Sequence, residues 1–322
     1  MPSADINQQL ACIFPGQGSQ SLGMMQLLGA EFDHVNERFE AASSILGFDL
    51  WALVTDGPQE ALNRTQNTQP ALLAASVATW DIWQACGGPR PRVMAGHSFG
   101  EYTALVCAGA LDYATAIALV ADRGRFMQEA VPPGEGAMAA ILGLDVGSVG
   151  QVCVEATGAA GLCACANLNA PGQIVIAGTR AGVERACELA RERGAKKALM
   201  LPVSAPVHCD LMRPAADKLS IRLEATAVKP PDTTIIHNVD VSDHQHDGDI
   251  RSALVRQMYS PVRWIETIEL FSAQGITHLI ECGPGKVLSA LVKRIDRSLD
   301  CQALADGAGI RARIEQLAGG SA

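Results

Sequence analysis

The stretch with the most chemistry in it is Gly96-His97-Ser98-Phe99-Gly100. Val93 to Ala95 is a short apolar run and Glu101 to Ala108 reads as a helix, so Ser98 falls on a strand-to-helix turn. That is the setting in which Gly-x-Ser-x-Gly forms a nucleophile elbow. The small flanking residues let the backbone bend sharply and hold the hydroxyl clear of the sheet, and the amides opening the helix favour a developing oxyanion. A serine hydroxyl becomes a nucleophile only when a base takes its proton. Seven histidines are available. His97 adjoins the serine, and adjacent side chains on a sharp turn diverge, so it suits a substrate contact better than the base. His237 and His278 lie in or beside strands, where a structural imidazole is ordinary. His208 closes the segment Pro202 to Val207, where the chain changes character. From spacing alone His208 and His278 are equal candidates.

Two glycine loops invite a nucleotide reading and fail it. Gly16-Gln17-Gly18 would need glycine at Ser21 to complete Gly-x-Gly-x-x-Gly, and is better suited to presenting backbone N–H groups to an oxygen. Gly283-Pro284-Gly285-Lys286 would need glycine at Ile280 and Ser or Thr at Val287 to be a phosphate loop.

The elements that must position these residues follow from the hydrophobic pattern. Leu10 to Phe14 is an apolar run entering the first glycine loop, and Pro70 to Cys86 and Tyr113 to Ala130 carry helical periodicity. With Val93 to Ala95 they make the crossover units of an α/β sheet. After Pro132-Pro133-Gly134 the pattern changes. Ala137–Leu142, Leu162–Leu168, Gln173–Ala177 and Lys197–Val203 read as strands, and Val146–Ala156 and Ala181–Arg193 as helices. That order is βαββαβ, a ferredoxin-like unit large enough for its own small core. From Pro206 the first pattern resumes, with a strand at Ile276 to Glu281 and a last helix at Lys286 to Ile295. The expected division is therefore an α/β core with a parallel sheet, residues 1–132 and 206–322, with residues 133–205 inserted as a subdomain.

Composition bounds the partners. Hydrophobic residues are 48% and charged ones 18% of 322 residues, which suits globular cores, and only the tail Ala318 to Ala322 is expected to be disordered. No basic cluster precedes an apolar run at the N-terminus and no apolar stretch approaches a bilayer span, which points to the cytoplasm and away from a membrane. A net charge of −9 without clustered Lys and Arg argues against nucleic acid. The ten scattered cysteines lack metal or redox spacing and read as free thiols. Arg191, Arg193, Lys196 and Lys197 form the densest basic group, a candidate landing place for an acidic partner.

Taken in order, several segments resemble the malonyl-CoA:acyl carrier protein transacylase family along nearly the whole chain. They are Phe14–Gln20, Gly96–Tyr102, Asp122-Arg123-Gly124, Asn167–Gln173, the segment ending at His208, Gln257 before Met258–Val262, and Glu281–Gly285. The resemblance implies a hydrolase-like core with a ferredoxin-like insert, and malonyl transfer from coenzyme A to an acyl carrier protein with no cofactor or metal. It also implies roles. Ser98 would be the nucleophile, His208 its base, and the Gln257 carbonyl the group that orients the imidazole. The amides of Gln17 and Phe99 would form the oxyanion hole. Arg123, which as a helix residue would ordinarily be solvated, would bind the malonyl carboxylate. Phe99 stands where leucine is usual and Val207 where serine is usual. A serine thioesterase or hydrolase shares the elbow, a polyketide acyltransferase shares the whole pattern, and an inactive scaffold would not need Ser98, His208 and Arg123 together.

Overall fold

The structure, a computed structural model, describes residues 4–158, 161–203 and 205–319. Among the described residues nine strands run in chain order as β1 (Leu10–Phe14), β2 (Val93–Gly96), β3 (Gly136–Leu142), β4 (Cys163–Ala170), β5 (Gln173–Thr179), β6 (Lys197–Met200), β7 (Thr234–Ile236), β8 (His278–Glu281) and β9 (Asp300–Ala303). They form two sheets, one ordered β7-β2-β1-β8-β9 and one ordered β4-β5-β3-β6.

Every pairing in the first sheet is parallel. A parallel sheet is covered on both faces, so its strands are apolar throughout. Accordingly β1 is buried at all five positions. Leu10, Cys12 and Phe14 face a core shared with the helix Thr65–Ala85, while Ala11 and Ile13 face a second core built on Trp264, Ile268 and Phe271. The chain runs from β1 out to β2 and later returns to β8 on the other side, so the direction of winding reverses at β1. In sheets of this kind ligands bind outside the carboxyl ends of the strands at that reversal. Phe14 pairs with Gly96 there, which sets the Gln17 loop beside the Ser98 turn.

The second sheet is antiparallel, and its order is that of the ferredoxin-like unit expected between residues 133 and 205. The helices Val146–Ala156 and Arg180–Glu192 cover one face around Ala139, Ile141, Ile174 and Ile176. The other face, with Met138, Ala166, Val175 and Ala177, packs on Cys209 next to His208. Backbone bonds from Leu168 N to the Val262 carbonyl (2.9 Å) and from Val262 N to the Ala166 carbonyl (2.9 Å) tie β4 to the first unit.

Some elements differ from expectation. The helix expected from Pro70 begins at Thr65, and Pro70 lies inside it. Proline is a weak stop near a helix start, and here the burial of Thr65, Thr68 and Gln69 outweighs it. Strand β6 ends at Met200 where the apolar pattern suggests Val203. The edge strand β9 and the helix Gly307–Gly319 carry too little periodicity to be read from Asp-Cys-Gln-Ala or a Gly-Ala-Gly start. That helix includes Ala318 and Gly319, expected as part of a disordered tail, and residues 320–322 lie outside the described residues. All ten cysteines are free, as expected, and seven are buried.

Candidate active site

Ser98 occupies the turn between β2 and the helix Gly100–Cys107 with φ 54°, in the left-handed region that a serine rarely adopts. The flanking glycines make this turn possible. A Cβ on Gly96 would lie 1.9 Å from the Gly100 carbonyl carbon, and one on Gly100 would lie 2.5 Å from the Phe14 carbonyl oxygen. Any side chain at either position would push the elbow off the sheet. Asn238, just after β7, locks it from below: its Oδ1 accepts from Ser98 N (2.7 Å) and its Nδ2 donates to the Gly96 carbonyl (2.7 Å).

His208 also has a left-handed backbone, φ 61°, and its Nε2 lies 2.7 Å from Ser98 Oγ. Its Nδ1 lies 2.8 Å from the Gln257 carbonyl oxygen. A carbonyl only accepts, so Nδ1 carries the proton and Nε2 keeps the lone pair that faces the hydroxyl. Burial, and then the positive charge of Arg123, push the imidazole down to about 3, so it stays neutral and able to take a proton throughout the physiological range. His278 answers the alternative raised by spacing. It pairs with Leu10 at the opposite edge of the sheet and contacts Asp300 Oδ2 at 3.2 Å. Four residues of strand separate that edge from the Ser98 edge, roughly 13 Å.

Arg123, on the helix Tyr113–Glu129, is fully buried. Gly124 lets this helix close on Thr65 and Gln66, since a Cβ there would sit 2.7 Å from their backbone atoms. The guanidinium donates from Nη1 to Gln69 Oε1 (3.0 Å) and from Nη2 to Gln257 Oε1 (2.9 Å), and Nη2 stands 3.4 Å from Ser98 Oγ. Its centre lies 5.4 Å from the Tyr102 ring centroid. Nε has no hydrogen-bond partner, and among the described residues no carboxylate pairs with the group. Burial lowers its affinity for the proton, yet an arginine remains charged. A buried cation of this kind can receive an anion.

The other expected residues take up separate positions. Among the described residues, neither Gln17 N nor Phe99 N makes a hydrogen bond, whereas Ser98 N is taken by Asn238. Two free amides, one on the Ser98 turn and one on the adjoining Gln17 loop, are available to receive an oxyanion. His97 turns away from Ser98: its Nε2 lies 2.8 Å from Asn169 Oδ1 on β4, and its ring meets Trp264 edge-on at 5.4 Å. Burial lowers its affinity for the proton as well. Val207 is half-buried against both the first core and the buried face of the second sheet that packs on Cys209. Of the basic group, Arg193 is paired with Glu155 and Arg191 donates to the Ala198 carbonyl, while Lys196 and Lys197 are exposed.

Comparison with known proteins covers nearly the whole chain. The acyl transferase domain description matches residues 11–309. The malonyl CoA-acyl carrier protein transacylase of Escherichia coli K12 is 52% identical over 307 residues, which are 95% of this chain and 99% of that protein. The chain belongs to the malonyl-CoA:acyl carrier protein transacylase family. A solved family member, from Coxiella burnetii, superposes with a TM-score of 0.95 at 50% identity, covering 97% of this chain and 99% of the other. Another, a malonyl-transacylase in complex with its type II PKS acyl-carrier protein, gives 0.94 at 52% identity over 96% and 99%. The hydrolase alternative is not favoured by relatives of this closeness.

Four polar residues of the site had no role in the sequence reading. Glu101 and Asn169 lie inside segments that carry the family resemblance, so position beside the motif was the available signal. Asn238 and Gln69 gave none, because each acts across more than fifty residues of chain.

Proposed function

We propose that this protein transfers a malonyl group from malonyl-CoA to the phosphopantetheine thiol of an acyl carrier protein through an ester on Ser98, supplying extender units for fatty acid synthesis. The observation that carries the choice of acyl group is Arg123, a buried guanidinium without a carboxylate partner whose Nη2 stands 3.4 Å from the Ser98 hydroxyl. In the first half-reaction His208 Nε2 takes the Ser98 proton as Oγ attacks the thioester carbonyl. The amides of Gln17 and Phe99 hold the oxyanion, and the coenzyme A sulfur leaves with the proton from His208. In the second, His208 deprotonates the carrier thiol, the sulfur attacks the ester, and Ser98 recovers its proton. The Gln257 carbonyl keeps the imidazole in the required tautomer and favours the transient imidazolium. His97, next to the serine in sequence and held by Asn169, is assigned a substrate contact. We further assign the enzyme to the cytoplasm and its two units to residues 1–132 with 206–322 and 133–205; separate cores under the two sheets support the division. Among the described residues no helix is long and apolar enough to cross a membrane.

The deciding experiment compares malonyl-CoA with acetyl-CoA in Arg123→Ala. Loss of a charge-assisted pair costs about 1.5 to 3 kcal/mol, more when an anion is left buried. That is roughly tenfold to over a hundredfold in kcat/KM for malonyl-CoA. Acetyl-CoA has no carboxylate to lose and its rate should fall little or rise. An unchanged malonyl to acetyl ratio would remove Arg123 as the selectivity residue.

The pH dependence should separate the free enzyme from its complex. With the imidazole held near 3, kcat/KM should show no histidine limb between pH 8 and 5, where an ordinary histidine would titrate near 6.5. A carboxylate bound to Arg123 cancels part of the charge that depresses His208, so the acid limb of kcat should lie at higher pH than that of kcat/KM. Initial rates of acylation across this range test the order of the two limbs.

A further inference from the structure

A carboxylate is buried close to Arg123, yet it does not touch the guanidinium. Glu101, fully buried on the helix that follows the elbow, accepts from His237 Nδ1 (2.7 Å) and Asn238 N (2.9 Å). Its third donor is Gln257 Nε2, at 2.9 Å from Oε2. The same Nε2 donates to the Ser98 carbonyl (3.0 Å), and Gln257 Oε1 accepts from Arg123 Nη2 (2.9 Å). One primary amide therefore stands between a buried anion and a buried cation, with its donor end on the first and its acceptor end on the second.

This arrangement resolves a conflict. An unaccompanied buried guanidinium is costly, and direct contact with a carboxylate would relieve it. Direct contact would also occupy the parallel N–H pair that makes arginine a good carboxylate receptor. Coulomb attraction falls only as the inverse of distance, so Glu101 at one amide's remove still offsets much of the charge. The neutral Gln257 oxygen uses a single N–H and leaves Nε and the rest of Nη1 uncommitted.

We propose that the Gln257 side chain is a specificity-determining spacer that keeps Glu101 off Arg123 and so reserves the guanidinium for the free carboxylate of the substrate. This role belongs to the side chain and is separate from that of the Gln257 carbonyl toward His208. It rests on the malonyl reading above. Gln257 acts through Arg123 and is a positioning residue.

Two variants test it, each assayed with malonyl-CoA and acetyl-CoA. Gln257→Glu puts a carboxylate against Nη2 and turns the donor end into an oxygen that Glu101 Oε2 and the Ser98 carbonyl repel, which drives the new side chain onto the guanidinium, and the malonyl to acetyl ratio of kcat/KM should fall at least tenfold. Gln257→Leu removes the bridge without adding charge and should lower the ratio about three- to tenfold, with Arg123 free to turn toward Glu101. It decides the matter if the first variant does not fold. The backbone carbonyl that holds His208 is present in both. Equal loss for the two substrates, including loss of all turnover, would make Gln257 merely structural and overturn the spacer. A wild-type enzyme with no preference for malonyl-CoA would instead overturn the malonyl reading, so the two failures are distinguishable.

Discussion

Ser98→Ala should form no acyl-enzyme and transfer no malonyl group, with a fall in kcat on the order of 10⁴-fold or more. The substitution deletes the one oxygen that lies 2.7 Å from His208 Nε2 and changes little else. Alanine meets the same cost as serine in the left-handed conformation at this position, and the clamp from Asn238 holds the backbone amide, which the variant retains. The protein should therefore fold and still bind malonyl-CoA. Intact mass after incubation with malonyl-CoA reads the result: one added malonyl group on the wild type and none on the variant. Acylation that survives the substitution would place the nucleophile elsewhere and end the mechanism.

His208→Ala should lose about 10³- to 10⁴-fold in kcat/KM, while His278→Ala should stay within about twofold of wild type. Only His208 reaches the hydroxyl, and only its Nδ1 is held by a carbonyl, the Gln257 oxygen at 2.8 Å. His278 sits at the far edge of the sheet against Asp300, so its loss removes a partly exposed contact worth little to stability. Circular dichroism melts alongside the initial rates would separate a folding defect from a chemical one. An inactive His278→Ala that kept its fold would show that the chemistry is not at the Ser98 edge.

The carrier of the malonyl group sets one constraint on both experiments. In the proposed mechanism thiol attack in the second half-reaction needs the same neutral His208, so His208→Ala should stall both before acylation and, if loaded chemically, before transfer. Hydrolysis of the loaded ester by water offers an independent rate against which the carrier reaction can be compared.

What the amino-acid sequence determined by itself is local. Gly96 before Ser98 dictates a sharp turn because a Cβ there would meet the backbone of Gly100 and Glu101, and neighbours in sequence are enough to say so, whereas the need for Gly100 comes from the distant Phe14 and Pro15 carbonyls. The alternation between strand and helix periods likewise announced the βαββαβ unit, since each element there is short and amphipathic. The proposed base was not legible in this way: Ser98 and His208 are 110 residues apart, and only the order of strands puts one histidine at the carboxyl edge and the other at the amino edge. Arg123 reads as an exposed helix residue until Gly124 is seen to draw its helix onto Thr65 and Gln66 and bury it. Glu101, Asn238 and Gln257 gain their roles from one another, through hydrogen bonds that join three separate stretches of chain. Local conformation depends on near neighbours and leaves a trace in the sequence. The distance between buried charges depends on how the sheet is wound, and only the tertiary structure decides it.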